Sequence, residues 1–254
     1  MTQKPYVLSI AGFDPSSGAG ITSDIKTFEA HKLHGLAVCT AVTIQNDTTF
    51  KTCVWMENTV VIAQIETLYE RFSIPVVKIG LVKSWQDLSA IVATLKRLNP
   101  EVKIILDPIL KATAGYNFHE SPQLNILSKV LESCYFITPN YEEIQALFPD
   151  KSIEDTIHYL SEKTNIYLKG GHRPNKIGFD EVYYNKIVQL NIPPSATAIH
   201  QKHGSGCVLS SALASNIANC IVLEDACKRA KQYTETFLNS NTSLLGTHNY
   251  NYND

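Results

Sequence analysis

No run of apolar residues in this sequence approaches the roughly 20 that a membrane span requires, and its opening, MTQKPYVLSI, has no apolar core of a secretory signal. A cytosolic protein with no membrane partner is expected. The six cysteines, at 39, 53, 134, 207, 220 and 227, form no C-x-x-C pair. That argues against a disulfide scaffold and a zinc site, so most should be free, buried thiols. Charge of one sign is also missing, because 22 Lys and Arg stand intermixed with 24 Asp and Glu for a net of −2. With no basic stripe to neutralise a row of phosphates, nucleic acid is not an expected partner. Linkers, low-complexity tracts and internal repeats are lacking as well. A single domain over residues 1–254 is therefore expected, with a polar tail from about 241 that frays.

Two nucleotide signatures are absent too. The loop G-A-G-I-T-S at 18–23 has Ser23 where a dinucleotide fold needs its third glycine, and no G-x-x-x-x-G-K-[ST] occurs. No ribose-binding acid follows the second strand run, so a dinucleotide-dependent dehydrogenase is disfavoured.

What is present is a regular alternation. Short apolar runs at 6–12, 36–42, 76–80, 103–109, 134–140 and 165–171 do not alternate with polar residues, the pattern of strands buried on both faces. Between them lie segments of helical spacing, such as Ile21, Ile25 and Phe28, or Leu88, Ile91, Val92 and Leu95. Strand and helix in turn give right-handed βαβ units, hence an α/β, doubly wound, mostly parallel sheet flanked by helices. EVYYNKIVQLNI at 181–192 breaks the rhythm and reads as an edge hairpin turning at Asn185 and Lys186. Two long helices, 207–220 and about 222–240, close the chain.

Ligands of such sheets bind beyond the carboxyl ends of the strands. The segments placed there are AGFDPSSGAGITSD, DPILKATAG, PNYEE, KGGH and, before the penultimate helix, HGSGC. The amides of Gly204, Ser205, Gly206 and Cys207 open a helix, with glycines removing steric obstruction, and so form a pocket for negative charge that suits phosphate. The same field is expected to depress the pKa of Cys207, which can then take a proton from a substrate hydroxyl; alternatively, Cys207 packs as a small apolar residue under the turn. Asp107 and Glu143, at strand ends facing this pocket, fit a hydrated magnesium ion bridging to nucleotide oxygens. Asn140 and Glu143 also satisfy a capping box, and both roles are compatible. Lys169 either reaches phosphate or snorkels to the surface.

Taken in order, SIAGFDPSSGAGITSDIKTF, TAVTIQN, KIGL, LDPIL, ITPNYEE, KGGH and HGSGC resemble the hydroxymethylpyrimidine and phosphomethylpyrimidine kinases of thiamin biosynthesis, in the ribokinase-like superfamily. The resemblance runs to about residue 240. It implies a ribokinase-like fold, a small-molecule aminopyrimidine substrate and its monophosphate, ATP with magnesium, and a homodimer. It implies Gly12, Asp24 and Gln45 as polar partners of the aminopyrimidine. ATP and magnesium are implied toward Asp107, Asn140, Glu143 and Lys169, and Cys207 as base where most of the superfamily has aspartate. A bound monophosphate would be repelled by a fixed carboxylate, whereas a thiol can be neutral. The chain departs from the pattern in DPILKATAG, where Thr113 replaces the usual lysine and Lys111 stands two positions earlier. It also has Ser205 where threonine is usual and Leu81 where many relatives have methionine. The rival readings are a pyridoxine or pyridoxal kinase and, less favoured, a non-catalytic ligand sensor.

Overall fold

The computed structural model describes residues 4–110, 124–171, 173, 176–184, 186, 188–195 and 199–248. The described strands are β1 (Tyr6–Phe13), β2 (His34–Gln45), β3 (Phe50–Trp55), β4 (Val76–Ile79), β5 (Lys103–Leu106), β6 (Phe136–Ile137), β7 (Asn165–Leu168), β8 (Asp180–Tyr184) and β9 (Val188–Ile192). They form one sheet in the order β3-β2-β1-β4-β5-β6-β7-β8-β9. The central pairings from β2 through β7 are parallel, while β3, β8 and β9 join antiparallel at the two edges. This is the expected doubly wound α/β fold, and the hairpin expected over 181–192 is present as β8–β9 at one edge. Lys186 has φ 65° in its turn; Asn185, the other turn residue, lies outside the described residues.

Helices cover both faces. Strand residues pointing one way, among them Leu8, Ile10, Val77, Ile79, Ile104 and Leu106, join a core with α2 (Asn58–Arg71), α3 (Trp85–Leu98), α4 (Leu124–Ser133), α5 (Tyr141–Leu147) and α6 (Ile153–Ser161). Their neighbours in sequence, Val7, Val76 and Ile105, pack with α1 (Gly20–Ala30), α7 (Ser205–Ala218) and α8 (Leu223–Leu238). The alternation follows from the two-residue period of a strand. Helix α7 is buried on every side from Cys207 to Ala218. It can be, because it carries no charged residue and its serines and alanines allow close approach to the sheet, α1 and α8.

Three expectations are corrected. An antiparallel strand, β3, extends the sheet beyond β2 through a turn in which Asn46 Oδ1 accepts from the amides of Thr48 and Thr49, both at distances below 3 Å. The run expected at 134–140 contributes only two strand residues, because Asn140 already caps α5. Residues 241–248 do not fray: Lys202 Nζ donates to the carbonyls of Asn241 and Ser243, His203 N donates to Leu244 O, and His248 is buried. Of the six free cysteines, Cys134, Cys207 and Cys227 are buried and Cys220 is exposed. No described helix is long and apolar enough to cross a membrane.

Candidate active site

The strand order reverses direction at β1, with β2 on one side and β4 on the other. Such a switch point opens a crevice at the carboxyl ends of the strands. The turn after β1 and the start of α7 meet there. A Cβ on Gly204 would overlap the Gly18 carbonyl, and one on Gly20 would overlap the Gly12 carbonyl. Both glycines have positive φ, 77° and 62°, which a side chain would strain in any case. The amide of Gly20, first residue of α1, lies close enough to the Cys207 sulfur to draw the thiol pKa down. The thiol thus sits near the N-termini of two helices, beside the N-terminal glycine loop.

Gly204 is the N-cap of α7 and no side chain caps the helix. The first helical hydrogen bond runs from Val208 N to Gly204 O at 3.0 Å, so the amides of Ser205, Gly206 and Cys207 have no acceptor within the helix. A Cβ on Gly206 would lie 3.3 Å from Lys169 Nζ, which puts an ammonium beside this nest of donors. Lys169 Nζ is also 2.8 Å from Asp107 Oδ1 and 3.6 Å from Glu143 Oε2. Asp107 accepts further from Thr138 Oγ1 and from Ser210 Oγ on α7, each at 3.1 Å. The expected capping box is present: Asn140 N donates to Glu143 Oε2 and Glu143 N to Asn140 Oδ1, both 2.8 Å. Gly204, Ser205, Gly206, Cys207, Asp107, Asn140, Glu143 and Lys169 therefore form one contiguous group, drawn from the residues that follow β5 and β7, from α5 and its cap, and from the start of α7.

The electrostatics differ from the sequence expectation at the centre of the site. Burial pushes the Cys207 thiol up to about 11. The Lys78 ammonium and the Gly20 amide pull it down, but Asp107 and Asp24 push with the burial. The helix field does not win, and the resting group is a neutral thiol rather than the thiolate expected. Burial and the Asp107 charge likewise raise Glu143 to about 7 against the pull of Lys169. Burial opposes the charge on Lys169, but the two carboxylates outweigh it and hold the ammonium protonated.

The residues expected at the substrate ring are less uniform. Gly12 ends the regular part of β1, where a bulge shifts its pairing, and a Cβ there would lie 3.1 Å from Leu81 Cδ2. Gln45 ends β2 in line with the buried Ala41 and Thr43, and Thr43 Oγ1 donates to Phe13 O at 2.9 Å. Asp24 departs from expectation. Its side chain has no exposure, and it accepts from Lys78 Nζ at 2.9 Å, Ser9 Oγ at 2.5 Å and Ser211 Oγ at 2.7 Å. It is the counter-ion of a buried lysine beneath the site rather than a group presented to a ligand. Lys78, Asp14, His203, Ser210 and Ser211 were not singled out from the sequence. A lysine in an otherwise apolar strand and two adjacent serines in an apolar helix were the available signals. Lys111, Thr113 and His172 lie outside the described residues.

A family model described as phosphomethylpyrimidine kinase matches residues 14–252. A hydroxymethylpyrimidine/phosphomethylpyrimidine kinase of Aquifex aeolicus is 33% identical over 92% of this chain and 94% of that protein. Among solved structures, a phosphomethylpyrimidine kinase of Clostridium difficile superposes with a TM-score of 0.74 at 29% identity, covering 91% of this chain and 98% of that one. A pyridoxal kinase of Staphylococcus aureus in complex with ADP reaches 0.82, covering 99% and 96% of the two chains, but at 20% identity, which speaks for the fold alone. The matched stretch takes in the glycine loop, both carboxylates, Lys169 and the cysteine of α7, and the chain belongs to the phosphomethylpyrimidine kinase family.

Proposed function

We propose that this chain transfers the γ-phosphoryl group of ATP to 4-amino-5-hydroxymethyl-2-methylpyrimidine and then to its monophosphate. The observation that carries the reading is the close backbone contact of Gly18 with Gly204 at the switch-point crevice, which brings the N-terminal glycine loop against Cys207, Lys169 and three amides that have no acceptor within their helix. Phosphoryl transfer asks mainly for in-line positioning and for stabilisation of charge on the transferring group. The amides of Ser205, Gly206 and Cys207 supply donors for that charge without reorganising, and Lys169 supplies a cation. The aminopyrimidine lies toward Gly12 and Gln45, with its hydroxymethyl arm at Cys207.

Magnesium fits the donor set. Asp107 and Glu143 are hard oxygen donors next to the phosphate nest, and they share the single ammonium of Lys169, which does not offset the effect of burial and of the Asp107 charge on Glu143. Both would hold the ion, which when bound neutralises nucleotide charge. In its thiolate form, a minor fraction of the resting thiol, Cys207 takes the hydroxyl proton as the new P–O bond forms and the bond from the γ-phosphorus to ADP breaks. Because the resting thiol is neutral, it does not repel an acceptor that already bears a phosphate.

ATP consumption with the aminopyrimidine alcohol, its monophosphate, pyridoxine and pyridoxal as separate acceptors tests the reading. Turnover on both pyrimidines, exceeding that on either B6 vitamer, is expected. Faster turnover on a B6 vitamer would assign the chain to that substrate class, and no consumption with any acceptor would leave a ligand sensor.

A further inference from the structure

Two loops 189 residues apart in sequence meet through a buried pair: His203 Nε2 lies 2.9 Å from Asp14 Oδ2, and Asp14 is 1% exposed. Asp14 organises the loop after β1. Its Oδ1 accepts from Ser16 N at 2.9 Å and Ser16 Oγ at 2.8 Å, and its Oδ2 accepts from Ala19 N at 2.9 Å. These hydrogen bonds outweigh burial and hold the carboxyl below its usual range. His203 directly precedes Gly204, where α7 and its amide nest begin. The His203 amide is tied to Leu244 O at 2.9 Å, and a Cβ on Gly18 would come within 2.6 Å of its ring. The imidazole is thus fixed between the acceptor-side loop and the segment 241–245, one residue from the phosphate-side nest. With the Gly18–Gly204 backbone contact, it makes a second junction between the same two loops.

We propose that the Asp14–His203 pair is a positioning link through which filling the acceptor side of the site organises the Ser205–Cys207 amides on the phosphate side, and the reverse. The inference rests on the kinase reading above for the identity of the two ligands. Neither residue touches substrate in this role. Because coupling between two binding sites is reciprocal, it shows as a change in affinity for one ligand when the other is present.

The test is calorimetric titration of the full chain with MgADP, with and without saturating aminopyrimidine alcohol, for wild type, His203→Leu and His203→Gln. Leucine fills the space without a donor; the glutamine amide reaches the place of Nε2. Wild type is expected to show a change in MgADP affinity of about fivefold or more. In His203→Leu the ratio should fall toward one and kcat roughly tenfold or more, with each separate binding constant near wild type. His203→Gln should recover most of both. No coupling in wild type, undiminished coupling in His203→Leu, or a glutamine variant no better than leucine would each overturn the link. A wild type that couples the two ligands yet consumes no ATP would instead overturn the kinase reading and leave the link standing. Should His203→Leu not fold, comparison of wild type with His203→Gln and His203→Asn decides, since asparagine is too short to reach Asp14.

Discussion

Lys78 Nζ lies 2.9 and 3.1 Å from the two carboxylate oxygens of Asp24, and neither side chain is exposed to solvent. Lys78 is the register partner of Ser9 on the adjacent strand, and Ser9 completes the carboxylate's shell together with Ser211 of α7. Burial opposes the charge on the ammonium, but the carboxylate of Asp24 outweighs it and keeps the group protonated. The Lys78 ammonium lies close enough to Cys207 to lower the cost of a thiolate, while the Asp24 carboxylate opposes it. The pair therefore serves both the core, where α1 and α7 dock on the sheet, and the chemistry above it.

Removing one member leaves the other charged and unpaired in the core, which costs about 3–5 kcal/mol. Lys78→Met should be destabilised by that amount in urea denaturation. The double variant Lys78→Met, Asp24→Asn strands no charge, keeps an acceptor oxygen for one of Ser9 and Ser211 and offers its amide N–H to the hydroxyl oxygen of the other, and should lose clearly less than the sum of the two single variants. Additive losses would show that the two charges do not depend on each other.

Much of this arrangement was legible in the sequence, and the reasons are local. The glycines at 18, 20, 204 and 206 serve turns and close approaches that their neighbours alone advertise. The N-x-x-E spacing of Asn140 and Glu143 produces its capping box as read. What stayed hidden depends on pairs distant in the chain. The family resemblance implies a ligand role for Asp24, and nothing in its own helix reveals that Lys78, 54 positions on, ends against it. Cys207 was expected to be acidic from the helix N-terminus alone. The opposing influence is burial, together with the charges of Asp107 and Asp24. The β3 strand was missed because Asn46 sets its turn through its side chain rather than through an Asn-Gly pair.

A neutral resting thiol has a kinetic consequence. If Cys207 takes the hydroxyl proton as thiolate, the competent fraction grows about tenfold per pH unit below a pKa near 11. The kcat of wild type should then rise with near-unit slope between about pH 7 and 9. Cys207→Asp, whose carboxylate is already ionised, should be flat over that range and lose more turnover on the monophosphate than on the alcohol. Cys207→Ala should lose turnover far more than pyrimidine affinity. A flat wild-type profile, or equal losses of Cys207→Asp on the two acceptors, would remove the thiol from the role of base.

The segment 241–248, which holds Lys202 and His203 from behind, carries its own acid sensitivity. His248 Nδ1 and Tyr233 Oη are 2.9 Å apart, the His248 ring packs 4.9 Å from Phe237, and His31 lies 4.5 Å from Tyr233. Burial lowers the His248 pKa from 6.5 to about 4, and the positive charges of Lys26 and His31 push it the same way. Burial lowers His31 too, against its hydrogen bond with Thr27 O. Between pH 6.5 and 4 the unfolded chain binds the proton that folded His248 refuses, so stability rises with pH across this window and is lost on acidification. The fall amounts to about 3 kcal/mol for His248. In His248→Gln, which does not titrate there and still accepts from Tyr233, the acid loss measured by thermal or urea unfolding should shrink by about that amount. A residual slope from His31 is expected; an unchanged slope would show that the imidazole of His248 is not what ties this segment to pH.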